Sequence, residues 1–247
     1  MAASLAGCGA IKPAALPPPA CPGRADGTFN VLLFSRTAAY RHDSIPDAVA
    51  ALQSLQATGG YQAAVTENPE AFTAEGLACY QVVVFLLTTG DVLDDTQQAA
   101  FEAWSNAGGG YVGVHSASDT EYDWPFYGEP VGAYFLQHPA TQQATVHVEA
   151  ADHPIVTAAG LPSTWVDTDE WYDFRTNPRP LVTVLATVDE STYRGGTMGA
   201  DHPISWVHAT PGGGRAFYTA LGHTSARYAD PLFQRFLVAG LRWAAGK

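Results

Sequence analysis

The chain has 247 residues, 47% of them apolar and 11% aromatic, enough to bury a large core as one folded domain with a tail. Twelve basic against 24 acidic residues give a formal net charge of -12. No Lys/Arg cluster is present to neutralise a row of phosphates, which argues against nucleic acid or an anionic membrane surface as a partner. No run reaches the roughly 18 to 20 apolar residues that span a bilayer.

Residues 1–27 read as a tether and residues 28–247 as the folded domain. Leu5-Ala6-Gly7-Cys8 is similar to the lipobox of a bacterial lipoprotein, where cleavage precedes a cysteine that takes a lipid. The resemblance implies lipidation at Cys8 and a place in the cell envelope, with membrane contact through that anchor alone. Only seven residues precede Cys8, fewer than the basic region and roughly 7–15 apolar residues of a signal peptide, so a full leader would start upstream. The alternative is an unprocessed cytoplasmic tail. Pro13, Pro17, Pro18, Pro19 and Pro22 favour extended geometry and suit a tether. With Cys8 lipidated, Cys21 and Cys79 remain, either as a disulfide in an oxidising compartment or as two unrelated thiols.

The domain alternates between strands and helices. Phe29 to Ser35 is an apolar run of strand length. Asp43 or Ser44 then caps a helix with Pro46 in its first turn, apolar at Ile45, Ala48, Val49, Leu52 and Leu55 and stopped by Gly59-Gly60. Strands follow at Tyr61 to Thr66 and, rich in β-branched residues, at Gln81 to Leu87. Asp94 and Asp95 suit the N-terminus of a helix carrying Phe101 and Trp104, which ends at Gly108-Gly109-Gly110 before strand Tyr111 to His115. This order predicts an α/β fold with a mostly parallel sheet and helices on both faces. From Ser116 to about Arg179 regular period is lost, and an elaborated loop region with a few strands is expected, such as Thr145 to Ala150 and Thr164 to Asp167. Strands resume at Leu181 to Val188, Ile204 to His208 and Arg215 to Leu221, and a last helix opens at Asp230-Pro231.

Ligands of open parallel sheets sit outside the carboxyl ends of the strands. Three histidines fall there: His42 after the first strand, His115 closing Tyr111 to His115, and His223 closing the run from Arg215. Gly113-Val114-His115-Ser116-Ala117 has the spacing of a nucleophile elbow with an imidazole in the nucleophile slot. An imidazole there serves as general acid, general base or metal ligand rather than as an acyl carrier. Ser116 is one position off the slot, and Cys79 precedes a strand, at the wrong end of the sheet. Asp169-Glu170-Trp171-Tyr172 sets carboxylates beside rings that can shield them or stack on a sugar. Arg41 and His42 add a cation and an imidazole. The glycine runs at 108–110 and 212–214 precede strands and read as turns, and no CxxC, HExxH or EF-hand motif occurs. The echo between Asp152-His153-Pro154-Ile155 and Asp201-His202-Pro203-Ile204 is not a repeat, because the flanking sequences differ.

Five blocks together carry a family likeness. They are Tyr40-Arg41-His42-Asp43-Ser44-Ile45, Gly109 through Ala117, Val131-Gly132-Ala133-Tyr134-Phe135 with His138-Pro139, Asp169 through Tyr172, and Gly214 through Thr219 with Gly222-His223. In this order the chain resembles the ThuA-like (trehalose utilisation) family from about Phe29 to Trp243. The resemblance implies a flavodoxin-like sheet of the class I glutamine amidotransferase-like superfamily and a link to the catabolism of trehalose and related disaccharides through keto-sugar intermediates. Relative to amidotransferases, His115 replaces the cysteine while His223 falls at their catalytic histidine, so glutamine hydrolysis is not expected.

The expected function is an enzyme acting on trehalose-type disaccharides or oxidised (keto) sugars, with His115, His223 and Glu170 as acid/base or ligand residues. Tyr40, Arg41, His42, Ser116, His138, Trp171 and Tyr172 are the expected substrate contacts. A mononuclear Zn²⁺ site drawn from His42, His115, His223 and Glu170 is one version of this chemistry. A non-catalytic sugar-binding module that lost the ancestral nucleophile is the competing function.

Overall fold

Phe29–Phe34 (β1) is buried at every position, as a strand covered on both faces must be. The computed structural model describes residues 19–23 and 27–247, so Cys8, Pro13, Pro17 and Pro18 lie outside the described residues. After β1 come α1 (Ile45–Ser54), α2 (Gln56–Gly59), β2 (Tyr61–Thr66), α3 (Ala74–Leu77), β3 (Val82–Leu86), α4 (Asp95–Asn106) and β4 (Gly110–Val114). The middle of the chain holds α5 (Gly128–Val131), β5 (Phe135–Gln137), β6 (Gln142–Val148), α6 (Pro154–Ala159), β7 (Thr164–Asp169) and β8 (Asp173–Phe174). The remainder is β9 (Thr183–Asp189), β10 (Pro203–Ala209), β11 (Arg215–Thr219), α7 (Ser225–Ala229) and α8 (Pro231–Ala244).

Nine strands form one sheet in the order β2-β1-β3-β4-β11-β10-β9-β6-β7. The first five are parallel and run in the flavodoxin-like order, with a topological switch at β1. The last four join by antiparallel pairing. The fold is therefore α/β and flavodoxin-like as expected, with the sheet extended by an antiparallel half. Two strands of that half, β6 and β7, lie where strands are expected within the elaborated middle region, near Thr145 to Ala150 and Thr164 to Asp167. β5 and β8 pair separately as a small second sheet.

Strand side chains sort the covering elements onto two faces. Phe85, Tyr111 and Tyr218 share one face with Phe101 of α4, Tyr127, Trp206 and Phe174. Phe217 points to the other face, onto Phe236 of α8 at 5.1 Å between ring centres. Helix starts follow local chemistry. Asp94 accepts from the Thr96 and Gln97 N–H groups while Gln97 returns a bond to Asp94 N–H, a full capping box, and Asp230 caps α8 through Leu232.

The antiparallel half does not lie flat. Four strand spacings of about 4.8 Å would place β7 roughly 19 Å from β11. Yet Asp169, the last residue of β7, accepts backbone hydrogen bonds from Gly222 and His223, just beyond β11, at 2.9 and 3.0 Å. The sheet curls until its edge strand returns to the carboxyl end of its parallel half.

Cys21 and Cys79 form a disulfide across 58 residues, with Cα atoms 6.1 Å apart, resolving the open alternative in favour of the bridge. With the Asn30 amide donating to the Pro22 and Cys79 carbonyls, it fastens the N-terminal segment beside the start of β1. Closing a loop of that length stabilises by about 2–4 kcal/mol through the unfolded chain. Cys79→Ser, or reduction of the wild type, is expected to lower unfolding free energy by that amount in urea titrations. An unchanged midpoint would show that the bridge is absent in solution.

Candidate functional site

His42, His115 and His223 leave the carboxyl ends of β1, β4 and β11, and the sheet order brings these ends together. Ring centres are 4.8 Å apart for His42 and His115, 5.4 Å for His42 and His223, and 5.5 Å for His115 and His223. Glu170, carried in by the curl of β7, completes the group. Its Oε2 lies 3.0 Å from His223 Nδ1 and 3.5 Å from His115 Nε2, and its Oε1 lies 3.5 Å from His138 Nδ1. The carboxylate therefore touches three imidazoles.

His115 is held in an unusual backbone state. Its φ of 52° is left-handed, a region that costs an L-residue roughly 1–2 kcal/mol, and it forms the sharp bend of a strand-to-turn elbow. Gly113 allows the bend's close packing, since a Cβ there would sit 2.7 Å from the Tyr111 hydroxyl and 2.9 Å from the Tyr218 ring. The Tyr218 hydroxyl donates to the His115 carbonyl at 2.8 Å. His115 Nδ1 lies 2.6 Å from the Ala220 carbonyl, which can only accept, so Nδ1 carries the hydrogen. Nε2 is left as the face turned to the cluster, fully buried and without a hydrogen-bond partner.

The other members are fixed by equally local means. His42 is buried, with Nδ1 3.4 Å from Ser116 Oγ. Asp169 is fully buried and accepts from the Gly222, His223 and Glu170 N–H groups. Arg227 backs it, 3.8 Å from Asp169 and in an ion pair with Asp167. Gly222 has φ 127°, and a Cβ there would meet the Tyr228 hydroxyl at 2.7 Å, so only glycine fits the turn that delivers His223.

Burial and crowding set the charge states. Burial first, then the charges of His115 and His223, pushes His42 down to about 3, so its ring is neutral in neutral solution. Burial alone would raise Glu170, but its close contacts with His115 and His223 outweigh it and hold the carboxyl well below its usual range. The Glu170 carboxylate raises His223 against the effect of burial. His223 Nδ1 is close to Glu170 but lacks the alignment of a directed hydrogen bond, so this is a charge contact. Burial raises Asp169, countered by His115 and by the backbone N–H groups it accepts from.

The expected contacts separate into those that reach the cluster and those that do not. Tyr172 packs its ring 4.3 Å from His115 and stacks on His138 at 5.6 Å. Tyr40 is 62% exposed, its ring 4.9 Å from His42, and stands at the mouth. Trp171 does not line the site. It is buried on the opposite side of the extended chain, its indole N–H donating to the Gln142 carbonyl, with Tyr193 as ring neighbour. Arg41 turns away to pair with Glu67 at 2.7 Å, on the rim of a neighbouring groove of about 660 Å³ lined by Arg36, Glu67 and Asp91. Asp169, which no strand-end rule marks for this role, emerges as the positioning residue.

A family model described as trehalose utilisation, ThuA, matches residues 30–244. Among solved structures, a ThuA-like protein of Bacteroides uniformis is 23% identical with a TM-score of 0.74, covering 90% of this chain and 94% of its own. One from Parabacteroides merdae is also 23% identical with a TM-score of 0.73, covering 89% and 91%. PurLQS of Thermotoga maritima is 9% identical with a TM-score of 0.51 over 87% of this chain and 99% of the matched chain, a likeness of fold. No curated protein sequence matches the chain.

Replacing Asp169 by alanine leaves the Gly222 and His223 N–H groups buried and unpaired. At roughly 1–3 kcal/mol for each buried unsatisfied group, Asp169→Ala should lower unfolding free energy by about 2–6 kcal/mol. Urea denaturation checks this, and a loss under about 0.5 kcal/mol would mean that the tie does not hold the edge strand, since that is the range of an ordinary surface change.

Proposed function

The chain belongs to the ThuA (trehalose utilisation) family, and on that premise we propose that it is a sugar-converting enzyme whose reaction centre is the His115/His223/Glu170 cluster. Its substrate class is the trehalose-type disaccharide or a keto sugar derived from one. The observation that carries the reading is the placement of one carboxylate within 3.0–3.5 Å of three imidazoles at the carboxyl ends of a parallel sheet. Such a set can remove a proton from a carbon beside a carbonyl and return it elsewhere. Tyr40 supplies an exposed ring of the kind that stacks on a sugar face, Tyr172 backs His115 and His138, and His42, Ser116 and His138 supply polar contacts. With an imidazole in the elbow slot, glutamine hydrolysis through a covalent cysteine has no nucleophile there.

Turnover of trehalose, 3-keto-disaccharides and glycosides, followed by product chromatography, tests this reading. Product is expected from wild type, with Glu170→Gln and His115→Ala each lowering kcat/KM by about 10²-fold or more while circular dichroism is unchanged. Saturable sugar binding with no product from any substrate would overturn the enzyme and leave the sugar-binding module.

We also infer a cell-envelope location with a lipid at Cys8. The Cys21–Cys79 bridge supports an oxidising compartment, and Cys8 precedes it by a short proline-rich stretch. Mass spectrometry of the N-terminus of protein expressed from its full reading frame should find diacylated Cys8 as the first residue; an intact Met1 would refute the anchor.

A further inference from the structure

We propose that His42, His115, His223 and Glu170 bind one divalent transition-metal ion, with Zn²⁺ as the reference ion. One ligand atom from each residue lies within 4.8 Å of all the others. Two of the spacings are 3.0 and 3.5 Å, both from Glu170 Oε2. A tetrahedral site with bonds of about 2.0–2.1 Å has ligand-to-ligand edges of about 3.3–3.4 Å, which the two Glu170 spacings bracket and which the remaining spacings, all within 4.8 Å, would reach by contraction. Three imidazoles and one carboxylate form a donor set suited to a first-row divalent ion.

Distance alone would not separate a metal site from a hydrogen-bonded cluster, but orientation does. His115 Nε2 and His223 Nδ1 are both buried polar atoms with no hydrogen-bond partner, although carboxylate oxygens lie 3.5 and 3.0 Å away. Each of these two nitrogens therefore keeps a position that an ion shared with Glu170 would fill. Behind His115, Nδ1 donates to the Ala220 carbonyl, the outer contact that fixes a metal-binding imidazole in the tautomer with a bare Nε2. His42 has Ser116 Oγ against Nδ1 in the same outer position.

A second group in the fold shows the contrast. Asp173, Glu190 and His202 also bring their ligand atoms together. Both His202 ring nitrogens are already engaged, Nδ1 with Glu190 at 2.8 Å and Nε2 with the Tyr172 carbonyl at 2.8 Å. Nε2 faces a carbonyl that can only accept, and Nδ1 is held by Glu190 and the Tyr193 hydroxyl, so neither nitrogen is left unpartnered for an ion. That cluster is a structural clamp behind Tyr172.

The inference deepens the proposed function and rests on it only for the ion's use. With four protein ligands, the ion would polarise a sugar carbonyl or hydroxyl oxygen as a Lewis acid only by taking it as a fifth ligand. Four residues are then ligands, and His138 stands beside them. Its Nδ1 donates to the Pro139 carbonyl at 2.8 Å, leaving Nε2 as the basic nitrogen.

The test uses full-length chain purified without a histidine tag, stripped with chelator and titrated with Zn²⁺ by calorimetry and with Co²⁺ by visible spectroscopy. One equivalent of Zn²⁺ per chain and the intense visible bands of tetrahedral Co²⁺ are expected. Glu170→Gln, which preserves shape, and His115→Ala should each weaken Zn²⁺ binding by about 10²-fold or more, whereas His147→Ala, at an exposed histidine, should leave it unchanged. If His115→Ala does not fold, the Co²⁺ spectrum of the wild type and the Glu170→Gln titration still decide. Sub-stoichiometric binding, octahedral Co²⁺ only, or equal affinity in Glu170→Gln overturns the site. Metal-free protein that converts sugar at full rate would defeat the metal and spare the enzyme; metal-loaded protein that converts none would do the reverse.

Discussion

The carboxylate of Asp169 is the tie on which the crevice depends. It belongs to an edge strand, yet it accepts the N–H groups of Gly222 and His223 on the far side of four strands. That bond closes the curl of the antiparallel half onto the parallel half. It also brings Glu170, the next residue, against imidazoles that arrive from three other segments. Without the tie, His115 and His42 would still face each other across neighbouring strand ends, but no carboxylate would meet them. The burial that makes Asp169 expensive to ionise is offset by three backbone donors and the nearby Arg227.

The second constraint is the elbow at His115. A left-handed backbone state at the end of a strand is a device for presenting a side chain above the sheet, and here it presents an imidazole. The Ala220 carbonyl takes one ring nitrogen, and the other is buried and bare. Scaffold and side chain thus combine into something neither supplies alone: a rigid mount used for acyl chemistry elsewhere, carrying a group fit for protons or a metal. His223 beside Glu170, and His42 kept neutral by burial, extend the same chemistry around one centre.

The parallel half of the fold and the three strand-end histidines were legible because both follow from local pattern. Buried strands of apolar residues, capped helices and glycine stops recur at a spacing that forces crossovers, and a parallel sheet then places strand ends on one side. The antiparallel half was less legible, since β6 and β7 pair across distances that no local period records. The role of Asp169 depends on that curl and so was hidden too. Neighbouring aromatics show the limit at the scale of one residue. Trp171 and Tyr172 look alike in sequence, but an extended chain sends them to opposite sides, Tyr172 with Glu170 toward His115 and Trp171 into the core. Arg41 adjoins His42 in sequence, yet its guanidinium pairs with Glu67.

Taking up a substrate proton and binding a metal both require His115 to offer a bare Nε2 to the centre it shares with Glu170 and His223. Long-range proton–nitrogen NMR of the histidine rings in uniformly ¹⁵N-labelled, metal-free protein reads this directly. The His115 ring should appear with hydrogen on Nδ1 and an unprotonated Nε2. A ring carrying its hydrogen on Nε2 instead would contradict the account, because the cluster would then lack the nitrogen on which it is built.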